Sequence, residues 1–229
     1  MATSPRDEPL APSHLAADLR GFGPLGILAT AAILLGNAVF VPLSGILVIL
    51  WAWRSRTPWR EIGYVRPKSW IRSVAIGITF GIAFKLVMKA LVMPLLGAEP
   101  VNEAYHYLAG NRAALPAAVY AMTLGAGFGE ETVFRGYMFE RLGKLFGPER
   151  WAKPAIVAFT SVWFGLDHYA VQGLAGVQQA TIFGVVFGTI YCLTGRIWPL
   201  IFAHAAFDLT ALAVIYWSLE TEVAHLIFK

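Results

Sequence analysis

The stretch that decides the fold is residues 115–139, LPAAVYAMTLGAGFGEETVFRGYMF, where charged side chains interrupt an apolar run of membrane-spanning length. The charges are the carboxylates of Glu130 and Glu131 and the guanidinium of Arg135. A charged side chain at the centre of a bilayer costs about 2.5–3.5 kcal/mol on insertion scales, so such groups pair with one another or mark function. The stretch therefore predicts a transmembrane helix that carries chemistry.

The composition of the chain favours a membrane protein. Of its 229 residues, 57% are hydrophobic and 14% are charged, which is too apolar for an ordinary soluble domain. The formal net charge of +4 comes from basic residues in short loops beside apolar runs, so nucleic-acid binding is not expected. The single cysteine, Cys192, excludes an internal disulfide and a cysteine-based metal site.

A helix needs about 20 apolar residues to cross a bilayer, and this length divides the chain into about six spans. They are predicted near residues 22–53, 73–96, 115–140, 153–170, 173–194 and 197–218. The first stretch is interpreted as one tilted or kinked span, with Asn37 and Pro42 as candidate breaks. The predicted fold class is an all-α, polytopic transmembrane helical bundle, with a flexible tail over residues 1–20 and a single domain over residues 21–229.

The charges of the loops predict the orientation. Arginine and lysine crowd residues 54–72 and 141–153, whereas residues 97–114 are mainly acidic. The two basic loops are therefore expected on the cytoplasmic side, and the N-terminus on the opposite side if the first span is single. The Ala- and Gly-rich, Lys-poor composition favours a bacterial inner membrane.

The two adjacent glutamates are expected to have different roles. Neighbouring residues on a helix point about 100° apart, so both carboxylates cannot face one reacting atom. Glu131 and Arg135 stand at i, i+4 spacing with the acid first, which predicts a structural ion pair. Glu130 is then the carboxylate left for catalysis as a general base.

Two histidines lie in later apolar runs, and Asp208 follows His204 by one helical turn. Either histidine alone is readily explained as a buried core residue. Together with the glutamates, His168 is a candidate to orient a water, and His204 is a candidate to stabilise an oxyanion. Asp208 is a candidate to hold the His204 ring in one tautomer.

A divalent metal such as zinc is an alternative, because Glu130, His168 and His204 are an acceptable ligand set. No His-Glu-x-x-His motif is present, and the sequence does not choose between a metal-bound and a carboxylate-activated water. Lys85 and Lys89 lie one turn apart in the second span. They either pair within the bundle or, as the sharper alternative, bind a terminal carboxylate of a substrate.

Three motifs occur in order on successive apolar segments. They are Glu130-Glu131-Thr132-Val133-Phe134-Arg135, Phe164-Gly165-Leu166-Asp167-His168 and His204-Ala205-Ala206-Phe207-Asp208. With these motifs the sequence resembles the CAAX protease and bacteriocin-processing family of intramembrane endopeptidases, which includes the type II CAAX prenyl endopeptidase. The resemblance covers roughly residues 60–218.

The resemblance implies catalytic roles within the membrane. Glu130 and His168 would activate the water that attacks a peptide carbonyl, and His204 with Asp208 would stabilise the oxyanion. Asp208 stands where better-understood members have asparagine, and an ionised carboxylate cannot donate a hydrogen bond. Asp208 is therefore either protonated or used to orient His204, and a metal-free, glutamate-dependent mechanism that needs no cofactor is favoured.

The expected function is hydrolysis of a peptide bond in a membrane-anchored protein or peptide, with membrane lipids as the surroundings. Phe134, Phe164 and Lys85 are candidate substrate contacts. An unprenylated substrate is favoured over a prenylated C-terminal cysteine motif. The alternatives are a catalytically silent membrane scaffold or bacteriocin-immunity protein, and a transporter that uses Glu130 and Lys85 as a proton relay.

Overall fold

Helices make up most of residues 14–228, the part of the chain that the computed structural model describes, and those residues contain no strand. In chain order we label them α1 (His14–Arg20), α2 (Pro24–Leu35), α3 (Leu43–Arg54), α4 (Trp70–Leu95), α5 (residues 115–146), α6 (Ala152–Asp167), α7 (Tyr169–Thr194), α8 (Trp198–Tyr216) and α9 (Glu220–Ala224). The predicted all-α bundle is confirmed.

Three helices in the described residues, α4, α7 and α8, are long and apolar enough to cross a membrane, and they have 26, 26 and 19 residues. The pair His14–Arg20 and Pro24–Ala38 passes the same test only together, with a bend of 58°. The protein is therefore an integral membrane protein. The sequence predicts about six spans, but the described residues do not contain six regular helices of that length. Helix α6 has 16 residues, and α5 changes its helical pitch.

The prediction of one span over residues 22–53 is wrong. Helix α2 ends at Leu35, a 3₁₀ turn follows over Gly36–Ala38, and α3 begins at Leu43. The bend is closed by two hydrogen bonds, in which the backbone N–H of Asn37 donates to Ser44 Oγ and that of Ser44 donates to Asn37 Oδ1, both at 2.9 Å. Pro42 has no N–H and cannot continue a helix, which explains the break at this point.

The start of α2 lies at the same end of the bundle as the basic loops. Arg20 Nη2 is 3.1 Å from Glu61 Oε2, and the guanidinium of Arg141 donates to the carbonyl oxygens of Arg20 and Gly21 at 2.7 Å each. Helices α2 and α3 therefore enter the bundle and return to the same end. The expected placement of the N-terminal end on the opposite side is wrong, because it followed from a single first span.

The predicted flexible tail over residues 1–20 is in part a helix. Residues 14–20 form α1, and the Trp51 indole N–H donates to the Leu19 carbonyl oxygen at 2.9 Å. Burial of Ala16 also ties this helix to the bundle. Residues 1–13 lie outside the described residues.

The basic loops share one end of the bundle. Lys144 Nζ, in the loop after α5, is 3.8 Å from Glu61 Oε2, in the loop before α4. The backbone N–H of Ile197 donates to the Gly63 carbonyl oxygen at 3.0 Å, which brings the α7–α8 connection to the same end. The two basic loops and the α7–α8 connection therefore lie at one end of the bundle.

Helix α5 is continuous but irregular. It has π-helical turns over Ala121–Glu130 and Thr132–Tyr137, on either side of Glu131. Its glycines allow close contacts: a Cβ added at Gly127 would lie 3.0 Å from the Ala205 Cβ, and one at Gly129 would lie 3.0 Å from the Pro42 Cβ. Widened turns of this kind are frequent at functional sites, and here they bring α5 against α8 and the α2–α3 bend.

Helices α4 and α8 pack closely because α4 presents glycine where they cross. A Cβ added at Gly77 would lie 2.7 Å from the Pro199 carbonyl oxygen, and one at Gly81 would lie 2.1 Å from the Ala203 carbonyl oxygen. Small residues permit such backbone approach between membrane helices. The contact places the next turn of α4 beside the part of α8 that carries His204.

Candidate active site

Glu131 joins α5 to α8. Its side chain is fully buried, and Oε1 accepts a hydrogen bond from Arg135 Nη1 at 3.1 Å. The same oxygen lies 2.7 Å from His204 Nδ1, which donates because an ionised carboxylate can only accept. The predicted ion pair with Arg135 is present, and Glu131 also holds the His204 ring in place.

The guanidinium of Arg135 is enclosed by aromatic rings. Its central carbon lies 5.0 Å from the ring centroid of Phe164, 5.6 Å from that of Phe183 and 5.7 Å from that of Phe187. Stacking on aromatic faces stabilises a guanidinium where little water is present. Arg135 is thus a buried partner of Glu131 and does not line the cavity described below.

Glu130 points differently from its neighbour. The Glu130 side chain is 26% exposed, and it lines an internal cavity. Glu130 Oε2 accepts no hydrogen bond from any residue in 14–228, and the nearest charged partner is His204 Nε2 at 3.8 Å. Of the two glutamates, Glu130 is therefore the one with an uncommitted carboxylate.

The second nitrogen of His204 lies between two carboxylates. Nε2 is 3.8 Å from Glu130 Oε2 and 3.7 Å from Asp208 Oδ2, both beyond hydrogen-bonding distance. The sequence suggests Asp208 as the residue that orients the ring, but the ring donates its hydrogen bond to Glu131. The pairing of Glu131 with His204 has no signature in the sequence because the two residues are 73 positions apart.

His168 directly follows α6 as its C-cap residue, and one of its ring nitrogens bonds to the backbone of that helix. Nδ1 lies 2.7 Å from the Phe164 carbonyl oxygen, and it must donate because a carbonyl oxygen only accepts. In the neutral ring, Nε2 then carries the lone pair. His168 lines the same cavity as Glu130 and His204, so this nitrogen is available to a ligand there.

The cavity has a volume of about 810 Å³. It brings together most of the sequence-predicted residues, namely Glu130, His168, His204, Asp208, Phe164 and Lys85. Glu131, Arg135 and Phe134 lie outside its lining; Phe134 instead packs edge-on against Phe164, with ring centroids 4.9 Å apart. Much of the remaining wall is apolar, including Val41, Met93, Met122, Ala180, Phe183 and Phe207.

The sequence also predicts Glu130, His168 and His204 as an alternative set of metal ligands. Within residues 14–228, no group of three His, Cys, Asp or Glu side chains is placed to hold a metal ion. Nδ1 of His168 is bonded to a backbone carbonyl, and Nδ1 of His204 is bonded to Glu131. Nε2 is therefore the ring nitrogen left to a ligand in both histidines, and that of His204 lies 3.8 Å from Glu130 Oε2.

Two glutamines in α7 belong to the cavity and were missed. Gln179 Oε1 accepts a hydrogen bond from Lys85 Nζ at 3.1 Å, and Gln172 Nε2 donates to Tyr105 Oη at 3.4 Å. Both glutamines line the cavity. Amide side chains inside an apolar run were a visible signal, since polar groups at membrane depth usually face the bundle interior.

The connection over residues 97–111 is anchored at the end of the cavity far from the basic loops. Glu220, at the start of α9, is 3.5 Å from Lys89 Nζ, and its Oε1 accepts from the backbone N–H of Asn102 at 2.9 Å. Lys89 Nζ also donates to the Pro100 carbonyl oxygen. Glu220 lies near the C-terminus of the chain, and its role was not foreseen from the sequence.

A family model described as Type II CAAX prenyl endopeptidase Rce1-like matches residues 112–210. The match confirms the resemblance to this family for a shorter segment than residues 60–218. It begins just before α5 and ends within α8, so it contains Glu130, His168, His204 and Asp208. No curated protein and no solved structure matches the chain.

Proposed function

We propose that this protein is an intramembrane endopeptidase that uses a water activated by Glu130. The proposal starts from the Rce1-like family match over residues 112–210. The domain supports a protease-like function of the intramembrane kind in general terms. The observation that carries the specific proposal is the division of labour between the glutamates. Glu131 bonds to Arg135 and His204 and lies outside the cavity lining, whereas Glu130 lines the cavity and its carboxylate makes no hydrogen bond within residues 14–228.

The first step is activation of water. The carboxylate of Glu130 accepts a proton from a water in the cavity, and the resulting hydroxide oxygen forms a bond to the carbonyl carbon of the scissile peptide. His168 helps to hold this water through Nε2, because its Nδ1 is occupied by the Phe164 carbonyl oxygen. Glu130 is therefore the general base and His168 the residue that orients the nucleophile.

The second step is stabilisation of the oxyanion. His204 is suited to it only when Nε2 carries a proton, since Nδ1–H is already donated to Glu131. A doubly protonated ring is balanced by the carboxylates around it, including Asp208 at 3.7 Å from Nε2. We assign Asp208 this electrostatic role, because an ionised aspartate cannot donate to the oxyanion itself.

The last step returns the proton. The tetrahedral intermediate collapses as the C–N bond breaks, and the proton held by Glu130 passes to the departing nitrogen. The products are a carboxylic acid on one fragment and an amine on the other. In the proposed sequence of steps, the proton is carried by Glu130 alone, without a metal ion or cofactor.

The surroundings of the site indicate the kind of substrate. The cavity lies among apolar helices, where a soluble peptide would lose the hydration of its backbone without compensation. A protein or peptide anchored in the same membrane does not face this cost in full. We therefore propose a membrane-anchored substrate in a bacterial inner membrane, with residues 54–72 and 141–153 on the cytoplasmic side.

Two classes of substrate fit this proposal. An unprenylated membrane protein or peptide is favoured by the composition of the chain, whereas the description of the matched family favours a prenylated C-terminus. Phe164 and the apolar wall can contact either an apolar side chain or an isoprenoid. The experiment below distinguishes the two.

The test compares the terminal peptides of membrane proteins in cells that express the wild-type protein or Glu130→Gln at matched levels. New termini present only with the wild-type protein are expected, and their sequences and lipid modifications identify the substrate class. Glu222→Gln is a matched control, because Glu222 is exposed at the surface. Identical termini in both cell lines, with both proteins folded, would refute proteolysis and favour the scaffold or immunity alternative.

A further inference from the structure

Lys85 is a buried cation without an ion-pair partner. Its residue is 7% exposed, and it lies within α4 on the wall of the cavity. The charged side chains near it are Asp208, Lys89 and Glu220. No carboxylate oxygen in residues 14–228 lies within the 4.0 Å that defines an ion pair with its ammonium group.

The other buried cations within residues 14–228, Arg135 and Arg141, are paired, and so is the half-buried Lys89. Arg135 contacts Glu131 at 3.1 Å, and Lys89, one turn after Lys85, contacts Glu220 at 3.5 Å. Lys85 has only the neutral Gln179 Oε1 at 3.1 Å and the ring of Phe207, 4.8 Å from its Nζ to the centroid. A cation buried within a membrane bundle normally pairs with a carboxylate or takes part in the function of the protein.

Neither neighbouring carboxylate forms an ion pair with Lys85 among the described residues. Asp208 faces Nε2 of His204, and Glu220 is held by Lys89 and the backbone of Asn102. The ammonium group of Lys85 therefore keeps two of its three donor positions for a ligand. Gln179 keeps its own amide N–H groups, because it only accepts in the contacts of the described residues.

The position of Lys85 relates it to the catalytic residues. It follows Gly77 and Gly81 at intervals of four, on the face of α4 that packs against α8. Its contact with Phe207 places it about one helical turn, ~5 Å along the axis, from the level of His204. A peptide bound at Glu130 and His204 would thus extend past Lys85 within a few residues, at ~3.3 Å each.

We propose that Lys85 and Gln179 form a carboxylate-binding subsite that selects the substrate of this protease. The inference rests on the proposed function, because it takes the occupant of the cavity to be a peptide. The carboxylate is either the free C-terminus of the substrate or an Asp or Glu side chain close to the scissile bond. Both present the same chemistry to an ammonium group and an amide donor.

The test measures binding and so does not depend on cleavage. Three probes are titrated into the full chain in detergent, in a Glu130→Gln background that blocks hydrolysis: dodecanoyl-Ala-Ala as the free acid, its C-terminal amide, and dodecanoyl-Ala-Glu-amide. A carboxylate bound by a buried cation should favour the acid over the amide by about tenfold or more in Kd. If dodecanoyl-Ala-Glu-amide binds more tightly than the dodecanoyl-Ala-Ala amide and the free acid does not, the recognised carboxylate is a side chain of the substrate.

Variants of Lys85 assign the preference. Lys85→Met should bind the acid and the amide alike, and Lys85→Arg should restore part of the difference. Lys153→Met is the matched control, because Lys153 is exposed and lies outside the cavity, and this variant should keep the preference. Lys85→Met is expected to fold, since an apolar residue of similar volume replaces an unpaired buried charge.

The outcomes separate this inference from the proposed function. Two results would overturn the subsite. One is equal binding of all three probes to the Glu130→Gln protein in which Lys85 is unchanged, and the other is a preference for the carboxylate that survives in Lys85→Met. Such a result would leave Glu130-dependent cleavage in cells untouched. A carboxylate preference lost in Lys85→Met, together with unchanged terminal peptides in cells, would instead support the subsite and refute the protease.

Discussion

Glu131 and His204 are joined by a 2.7 Å hydrogen bond between Oε1 and Nδ1, across 73 positions of the chain. The same oxygen of Glu131 contacts Arg135, so one carboxylate ties a turn of α5 to the side of α8 that lines the cavity. This contact gives the two adjacent glutamates different surroundings. The one that holds the histidine cannot also activate a water, because it does not reach the cavity.

Glu131→Gln should destabilise the fold and abolish activity. The change leaves Arg135 buried without a countercharge, and breaking a buried ion pair costs roughly 3–5 kcal/mol. Thermal unfolding in detergent should show a lower midpoint than for the wild-type protein. A stable Glu131→Gln variant with full activity would show that neither the ion pair nor the contact with His204 matters.

Glu130→Gln should also lower activity, but without lowering stability. Loss of a general base lowers turnover by about 10²–10⁴-fold, whereas stability should not fall, because Oε2 makes no hydrogen bond within residues 14–228. The measurement is cleavage of a substrate identified in cells, with thermal unfolding of the same sample. Undiminished cleavage by Glu130→Gln would remove Glu130 from the role of base.

Asp208→Asn should remain active. The carboxylate is 3.7 Å from His204 Nε2, so no hydrogen bond is lost, and the new amide can donate to an oxyanion. We expect turnover within about tenfold of the wild-type value. A loss as deep as that of Glu130→Gln would show that the negative charge of Asp208 is itself required.

Gly81→Ala should weaken the contact between α4 and α8. A Cβ at this position would lie 2.1 Å from the Ala203 carbonyl oxygen, and overpacking of this kind typically costs about 1–3 kcal/mol. Activity should fall with stability, because Ala203 precedes His204. Gly143→Ala is the control, since nothing lies within 4 Å of its added Cβ. Equal stability of the two variants would contradict the close approach.

Removal of metal ions should leave cleavage unchanged. The candidate ligands Glu130, His168 and His204 do not form a metal-binding group. Dialysis of the purified protein against a chelator, followed by the cleavage assay, should give turnover within about twofold of the untreated sample. Activity that disappears on chelation and returns with zinc would favour the metal-bound water.

Much of the fold and of the site was predictable because it depends on local pattern. Apolar runs of helical length predicted an all-α membrane bundle, and i, i+4 spacing predicted the ion pair between Glu131 and Arg135. The order of the three motifs predicted which residues share a site, and the cavity does contain Glu130, His168 and His204. Each of these inferences uses neighbours along one helix or the hydropathy of one segment.

The sequence by itself thus determined the class of fold, the deep charged residues and the pairing within a single helical turn. Only the tertiary structure decided that α2 and α3 fold back to one end, that Glu131 holds His204, and that Lys85 is left to Gln179. The physical reason is that helix crossings set these contacts. Where two backbones can approach depends on glycines and bends in different helices at once, and no single segment contains that information.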